Sequence, residues 1–321
     1  MRTSLFALSI VLLSLAGSSD SNAQTPSASP SPERIAANPA KEFTYAYYLY
    51  VPPELRTPEA RKEKQTILVI PNNSGKVSDD MEFHESEVLK RVTASREAAS
   101  VLKVVVLIPV FPRPESDWRI YTVALDRDSM TTDKKELRRL DLQMVHMIDD
   151  AREHLKKQGL NVDKRVLLNG FSAQAMFANR FTFLHPDRVK AAAIGSPGGW
   201  PIAPVAQYKN KSLRYPIGVS DFQQVTGHKL EMGKLRKVPL YIFIGDKDEN
   251  DSVPFGDSYD DEDRELIMPL LGPKPIDRWK ISEELYREAR LNATFKVYPG
   301  IAHTVSPEMR QDVRQFLLKY K

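Results

Sequence analysis

An α/β protein built on a mostly parallel central sheet of about eight strands, with helices on both faces, is the fold class this sequence predicts. Apolar runs of strand length alternate with stretches of helical period, and most of the runs are continuously apolar, as expected of strands covered on both faces. The 321 residues, 41% hydrophobic and 27% charged, suffice for a sizeable core. No internal repeat or second low-complexity break divides them, so one domain is expected over residues 42–321.

In chain order, residues 1–23 open with one Arg and an apolar run over 5–16, then polar residues up to Ala23. This is the pattern of a secretory signal peptide cleaved near Ala23, with a run too short to span a bilayer comfortably. The mature protein is therefore expected to be secreted or periplasmic, with no stable membrane insertion. Residues 24–41, rich in Pro, Ser and Ala, read as a flexible N-terminus. Strands follow at 66–70, 104–108, 166–168, 191–194, 240–244 and 295–298, after an opening hairpin within 43–51. Leu137, Leu140, Met144, Ile148, Ala151 and Leu155 step by three or four along a helix that Asp133 and Glu136 would open as a capping box and Gly159 would close. The last helix begins at Ser306 as N-cap with Pro307 at its first position, and buries Met309, Val313, Phe316 and Tyr320.

Composition excludes several chemistries. Lys and Arg number 46 against 42 Asp and Glu, a net charge of +4 spread along the chain, which argues against a nucleic-acid partner. There is no cysteine, hence no disulfide, thiolate metal site or cysteine nucleophile. The six histidines make no H-E-x-x-H pair, and neither metal nor cofactor is expected.

In an open α/β sheet, functional residues gather beyond the carboxyl ends of the strands. There, Asn169-Gly170-Phe171-Ser172-Ala173-Gln174 reads as a strand, a sharp turn holding a serine, and a helix running to about Leu184. Such a turn lifts the serine hydroxyl above the sheet, while the helix N-terminus offers N–H groups and positive dipole to a developing oxyanion. The usual pattern is G-x-S-x-G, from which Gln174 departs. After the strand at 240–244 come Asp246, Asp248 and Asp251; after the strand at 295–298 comes His303. The order Ser, Asp, His is one of the orders in which a catalytic triad occurs.

These residues resemble the α/β-hydrolase fold family, specifically its secreted feruloyl-esterase and polyhydroxybutyrate-depolymerase-like branch, over roughly residues 43–321. The similarity extends through Phe177-Ala178-Asn179-Arg180-Phe181 and Gly195-Ser196-Pro197-Gly198-Gly199-Trp200. It implies a secreted serine hydrolase that cleaves a small or polymeric carboxylic ester through an acyl-enzyme. It places the acid in a G-x-x-D turn, Gly245 to Asp248, giving Ser172, Asp248 and His303 as the catalytic set. The oxyanion hole would be the N–H of Ala173 and one from the loop after the third strand, where relatives carry a His-Gly turn and this chain has Pro71-Asn72-Asn73-Ser74-Gly75. Asn73 is the chosen donor and Asn72 the alternative.

The other candidates have plainer readings: His146 and His154 as surface residues, His185 as structural, His84 and His228 without a role. The acidic stretch 246–263 reads as a solvated loop rather than a calcium site. Residues 201–237, with Trp200 beside them, are expected to form a short cap whose aromatic residues, Trp200 first, line the substrate pocket. A peptidase or amidase on the same fold is the nearer rival. A non-catalytic binding protein that keeps the scaffold is the other, and Gln174 is the feature favouring it.

Overall fold

The structure, a computed structural model, describes residues 30–72 and 76–321, so the proposed signal peptide and Asn73 lie outside the described residues. Eight strands form one sheet: β1 (Glu33–Ile35), β2 (Tyr47–Tyr50), β3 (Ile67–Val69), β4 (Val105–Pro109), β5 (Val166–Phe171), β6 (Val189–Gly195), β7 (Leu240–Gly245) and β8 (Ala293–Tyr298). Their spatial order is β1-β2-β4-β3-β5-β6-β7-β8. The β1/β2 and β2/β4 pairs are antiparallel and all the others parallel, as expected for this fold class.

The alternation of side chains along each strand divides the core in two. On β7, Leu240, Ile242 and Ile244 join the larger cluster, which lies under α2 (Leu140–Lys157), α3 (Ala173–Leu184) and the later helix Pro275–Glu288. Tyr241 and Phe243 point the other way, into a cluster capped by α1 (Met81–Ala94), the short helix Arg96–Leu102 and the last helix, Pro307–Leu318. Each fully buried aliphatic side chain contributes about 1.5–3 kcal/mol, so both faces of the sheet drive folding.

Three local expectations are corrected. The segment read as a flexible tail carries β1, whose Glu33 sits opposite Leu49, and Lys41 pairs with Asp150 and Glu153 of α2. The opening hairpin within 43–51 is therefore replaced by a pairing that starts ten residues earlier than Phe43, at Glu33. A three-residue edge strand with one apolar side chain gives the sequence almost no periodic signal. Asp133 and Glu136 are exposed and cap nothing: α2 starts at Leu140, after Arg139 in the left-handed region with φ +55. Within 201–237, Leu213, Tyr215, Ile217 and Phe222 anchor the segment in the larger core cluster. By contrast, Ser306 accepts from the Met309 N–H and Pro307 opens the last helix as expected. Among the described residues, no helix is long and apolar enough to cross a membrane.

What opens α2 is a triad of side chains centred on a buried carboxylate. Asp141, fully buried, accepts from Nε and Nη2 of Arg139 at 2.9 Å each and lies 2.9 Å from the Nε2 of His185. Burial opposes its charge, but the hydrogen bonds from His185 and Arg139 outweigh it and hold the carboxyl at about 2. Because this lies below its ordinary 3.8, the triad's contribution to stability is complete above 3.8 and is lost as pH falls through about 2. Asp141→Asn is expected to lower stability at pH 7 by roughly 3 kcal/mol, since it leaves the half-buried Arg139 guanidinium without its counter-charge. Urea unfolding from pH 7 downwards checks both points: the variant's deficit should shrink towards pH 2.

Candidate active site

Parallel register brings four chain segments to one edge. Phe171, the last residue of β5, lies opposite Gly195 at the end of β6, which in turn lies opposite Phe243 of β7. Gly245 at the end of β7 lies opposite Tyr298 at the end of β8. The next residues out of the sheet are Ser172, Ser196, Asp246 and Pro299.

Ser172 is half-buried and adopts φ +61, ψ −130, a conformation costing a non-glycine residue of order 1–3 kcal/mol, typical of functional turns. Its N–H donates to the Gly195 carbonyl at 2.9 Å, which ties the turn to β6. The turn is tight where Gly170 faces α3: a Cβ there would come within 2.4 Å of the Gln174 carbonyl carbon and oxygen. Crowding thus requires glycine at 170. At Gln174 the side chain is accommodated; it is 5% exposed, and its Nε2 has no hydrogen-bond partner among the described residues.

Asp248 and His303 come together. His303 Nδ1 lies 3.0 and 2.9 Å from the two Asp248 carboxylate oxygens, and one of these also accepts the Asn250 N–H at 2.9 Å. Asp248 is 3% exposed. Burial works against its charge, but the His303 ring, the nearby Ser196 hydroxyl and the Asn250 N–H prevail and hold it below the ordinary carboxylate value. An ionised Asp248 accepts a hydrogen bond from Nδ1–H, which leaves Nε2 as the free base of the ring. The ring packs 4.8 Å, centroid to centroid, from Phe171, the residue before Ser172. Phe171, Ser196 and Asn250 carry no triad pattern, so sequence reasoning missed them; the position of Ser196 one residue past a strand end was the available signal.

The two loops that carry the acid and the histidine are tied to each other. Asp246 accepts the Gly300 N–H at 2.6 Å, and the Lys247 N–H donates to Ile301 at 3.0 Å. At Gly245 a Cβ would sit 2.0 Å from the Ile301 carbonyl oxygen, so only glycine lets the loops approach. Gly245→Ala is expected to pry them apart and reduce kcat/KM by about a hundredfold, the usual cost of ångström-scale misplacement. An unchanged rate would show that the approach of the loops is immaterial.

Ala173 is the first residue of α3, where a backbone N–H has no partner in a preceding helical turn. Asn72 is buried, and its side-chain amide donates to the Phe111 carbonyl at 3.3 Å. Trp200 is corrected: it is 1% exposed, its indole N–H donates to Ile217 at 2.8 Å, and it belongs to the core rather than to a pocket wall. The acidic stretch is corrected too. Asp251 makes a two-pronged pair at 2.9 Å with the buried Arg278, Asp257 pairs with Arg113, and Arg214 engages Asp260, Glu262 and Asp263. These carboxylates lock the loop to the body instead of being simply solvated. Among the described residues no group of acidic or histidine side chains could hold a metal ion. His185 is structural as expected; His84 is buried, its Nε2 2.8 Å from the Ser78 carbonyl oxygen.

No protein-family model and no curated protein matches the sequence. Among solved structures, the chain is similar to a poly(aspartic acid) hydrolase-1 from Sphingomonas sp. KT-1 at 19% identity and a TM-score of 0.56, covering 90% of this chain and 98% of that one. It is also similar to a poly(3-hydroxybutyrate) depolymerase from Bordetella parapertussis at 17% identity and a TM-score of 0.53, covering 90% and 88%. Sheet order, the strained serine turn and these likenesses agree: the chain has the α/β-hydrolase fold.

Proposed function

We propose that the protein is a serine hydrolase that cleaves a carboxylic ester, with Ser172 as nucleophile, His303 as general base and then acid, and Asp248 as the group that orients and charges the imidazole. The observation that carries this reading is the Asp248–His303 pair, held at 2.9 Å, whose ring packs on Phe171, the residue before a serine in a strained turn. Ser172 attacks the carbonyl carbon as His303 Nε2 takes its proton; the same proton is delivered to the leaving alkoxide as the acyl-enzyme forms. Water then attacks the acyl carbon with His303 again as base. The Ala173 N–H would stabilise the tetrahedral oxyanion with a second donor from the loop after β3, where Asn73 remains the proposal; loss of one such donor costs roughly a hundredfold or more. Export, with cleavage near Ala23, is part of the proposal and rests on the apolar run at 5–16.

An amide-cleaving reading is favoured by one observation, the likeness to a poly(aspartic acid) hydrolase. A fluorophosphonate probe followed by peptide mapping tests the nucleophile, and p-nitrophenyl esters against the matching anilides divide esterase from amidase. Labelling at Ser172 with preferred ester turnover is the expected result. A folded protein that the probe leaves unlabelled would instead favour a binding protein on this scaffold.

A further inference from the structure

A cavity lies behind the serine turn, on the face of the sheet covered by α1 and the last helix. It encloses about 460 Å³, and neither Ser172 nor Asp248 nor His303 lines it. Its floor is apolar, formed by Leu68, Ile70, Leu102, Phe243 and Leu317, so a ligand with a hydrocarbon body would gain by leaving water there.

Two independent features define the polar end of such a ligand. Gln174, 5% exposed, is one of the cavity's lining residues; its Nε2 is closed off from water and lacks a hydrogen-bond partner among the described residues, and a turn of the side-chain amide would bring it to an acceptor in the cavity. A buried amide donor without a partner costs about 1–3 kcal/mol, which an acceptor oxygen would recover. The second feature is charge. Lys90, Arg91, Arg310 and Arg314 line the cavity against a single carboxylate, Glu87, which pairs with Lys90 at 2.6 Å. Arg314 lies 3.8 Å from the exposed Glu97, and Arg310 donates to the Val305 carbonyl at 2.6 Å. With Glu97 counted beside Glu87, four cations face two carboxylates, so the rim of the apolar space stays net positive. A neutral or cationic ligand would waste that field; an anion uses it.

We propose that this cavity is a second ligand site for a free amphiphilic monocarboxylate. Its chain lies on the apolar floor, and its carboxylate supplies both the acceptor that the Gln174 amide lacks and the counter-charge that the cations call for. The site also explains why glutamine replaces the glycine of the usual serine turn: the side chain serves the cavity on the far side of α3's first turn. The proposal does not depend on ester turnover by Ser172.

Calorimetric titration of the wild-type protein with decanoate and with decanol tests it, together with a diazirine-bearing fatty acid mapped after photolysis. Decanoate should bind saturably with one molecule per chain, and decanol about tenfold more weakly or worse. Cross-links should fall chiefly within 87–102 and 305–317, the two helical segments among the cavity's lining. The double variant Arg310→Glu/Arg314→Glu should weaken decanoate about tenfold, and Gln174→Met about fivefold. Absence of saturable binding, equal binding of decanol, or cross-links confined to the loops of Ser172 and His303 would each overturn the proposal. The alcohol comparison uses the unaltered protein, so it decides the matter even where a variant fails to fold.

Discussion

Ser172→Ala is expected to fold normally and to lose ester turnover by roughly 10⁴-fold or more, because the proposed mechanism has no other nucleophile. The substitution is unusually clean in conformational terms. Serine and alanine both carry a Cβ, so the strain of φ +61 passes unchanged from one to the other, and the backbone bond from residue 172 to Gly195 is untouched. A companion variant separates conformation from chemistry: Ser172→Gly removes both the hydroxyl and the strain, so it should be as inactive as the alanine variant yet more stable by about 1–3 kcal/mol. Steady-state kinetics on a p-nitrophenyl ester and urea unfolding of both variants check this. Activity above a tenth of wild type in Ser172→Ala would remove the residue from the mechanism. A glycine variant no more stable than the alanine one would mean that the turn stores no strain.

The sheet was legible because its strands are buried on both faces: β4 and β7 read as unbroken apolar runs, and such runs have few alternative structures. Opacity began where pairing is decided by partners far away in the chain. Glu33-Arg34-Ile35 becomes a strand because the edge of β2 accepts it, not because of its own pattern. Asp133 and Glu136 formed a plausible capping box, but the distant His185 and the αL turn at Arg139 determine where α2 starts. Tertiary charge pairing overrode a local rule.

The site shows the same division. Serine, aspartate and histidine positions followed from strand ends, since the carboxyl edge of a parallel sheet collects whatever comes next in the chain. Directions of side chains did not follow. Trp200 was expected in a pocket wall and faces the core, while the acidic stretch was expected to be solvated and instead meets Arg113, Arg214 and Arg278 from three separate parts of the chain. Nothing local in Asp251 or Asp257 announces an arginine partner more than twenty residues away.

That division sets up the second large effect. Asp248→Asn should reduce kcat/KM by about 10⁴-fold while the protein stays folded, because an amide facing Nδ1 can offer its NH₂ and thereby push the ring proton to Nε2, the atom that must accept from Ser172. The neighbouring carboxylates should respond differently, each in its own assay. Asp246→Asn keeps an oxygen able to accept the Gly300 N–H at 2.6 Å and should change kcat/KM only mildly. Asp251→Ala breaks the pair with buried Arg278 and should cost roughly 3–5 kcal/mol of stability, read from the urea midpoint. Acid adds a further check. Asp248 is held below its ordinary 3.8, so its bond to His303 contributes stability that is complete above 3.8 and is lost as pH falls through the lowered value. The asparagine variant has no carboxylate to protonate and should lack that part of the acid-side slope. If Asp251→Asn proved the variant with a 10⁴-fold loss at unchanged stability, the acid would be Asp251 and the G-x-x-D assignment would fall. If Asp248→Asn retained more than a tenth of the activity, the 2.9 Å pair would be a structural contact and His303 would need another partner.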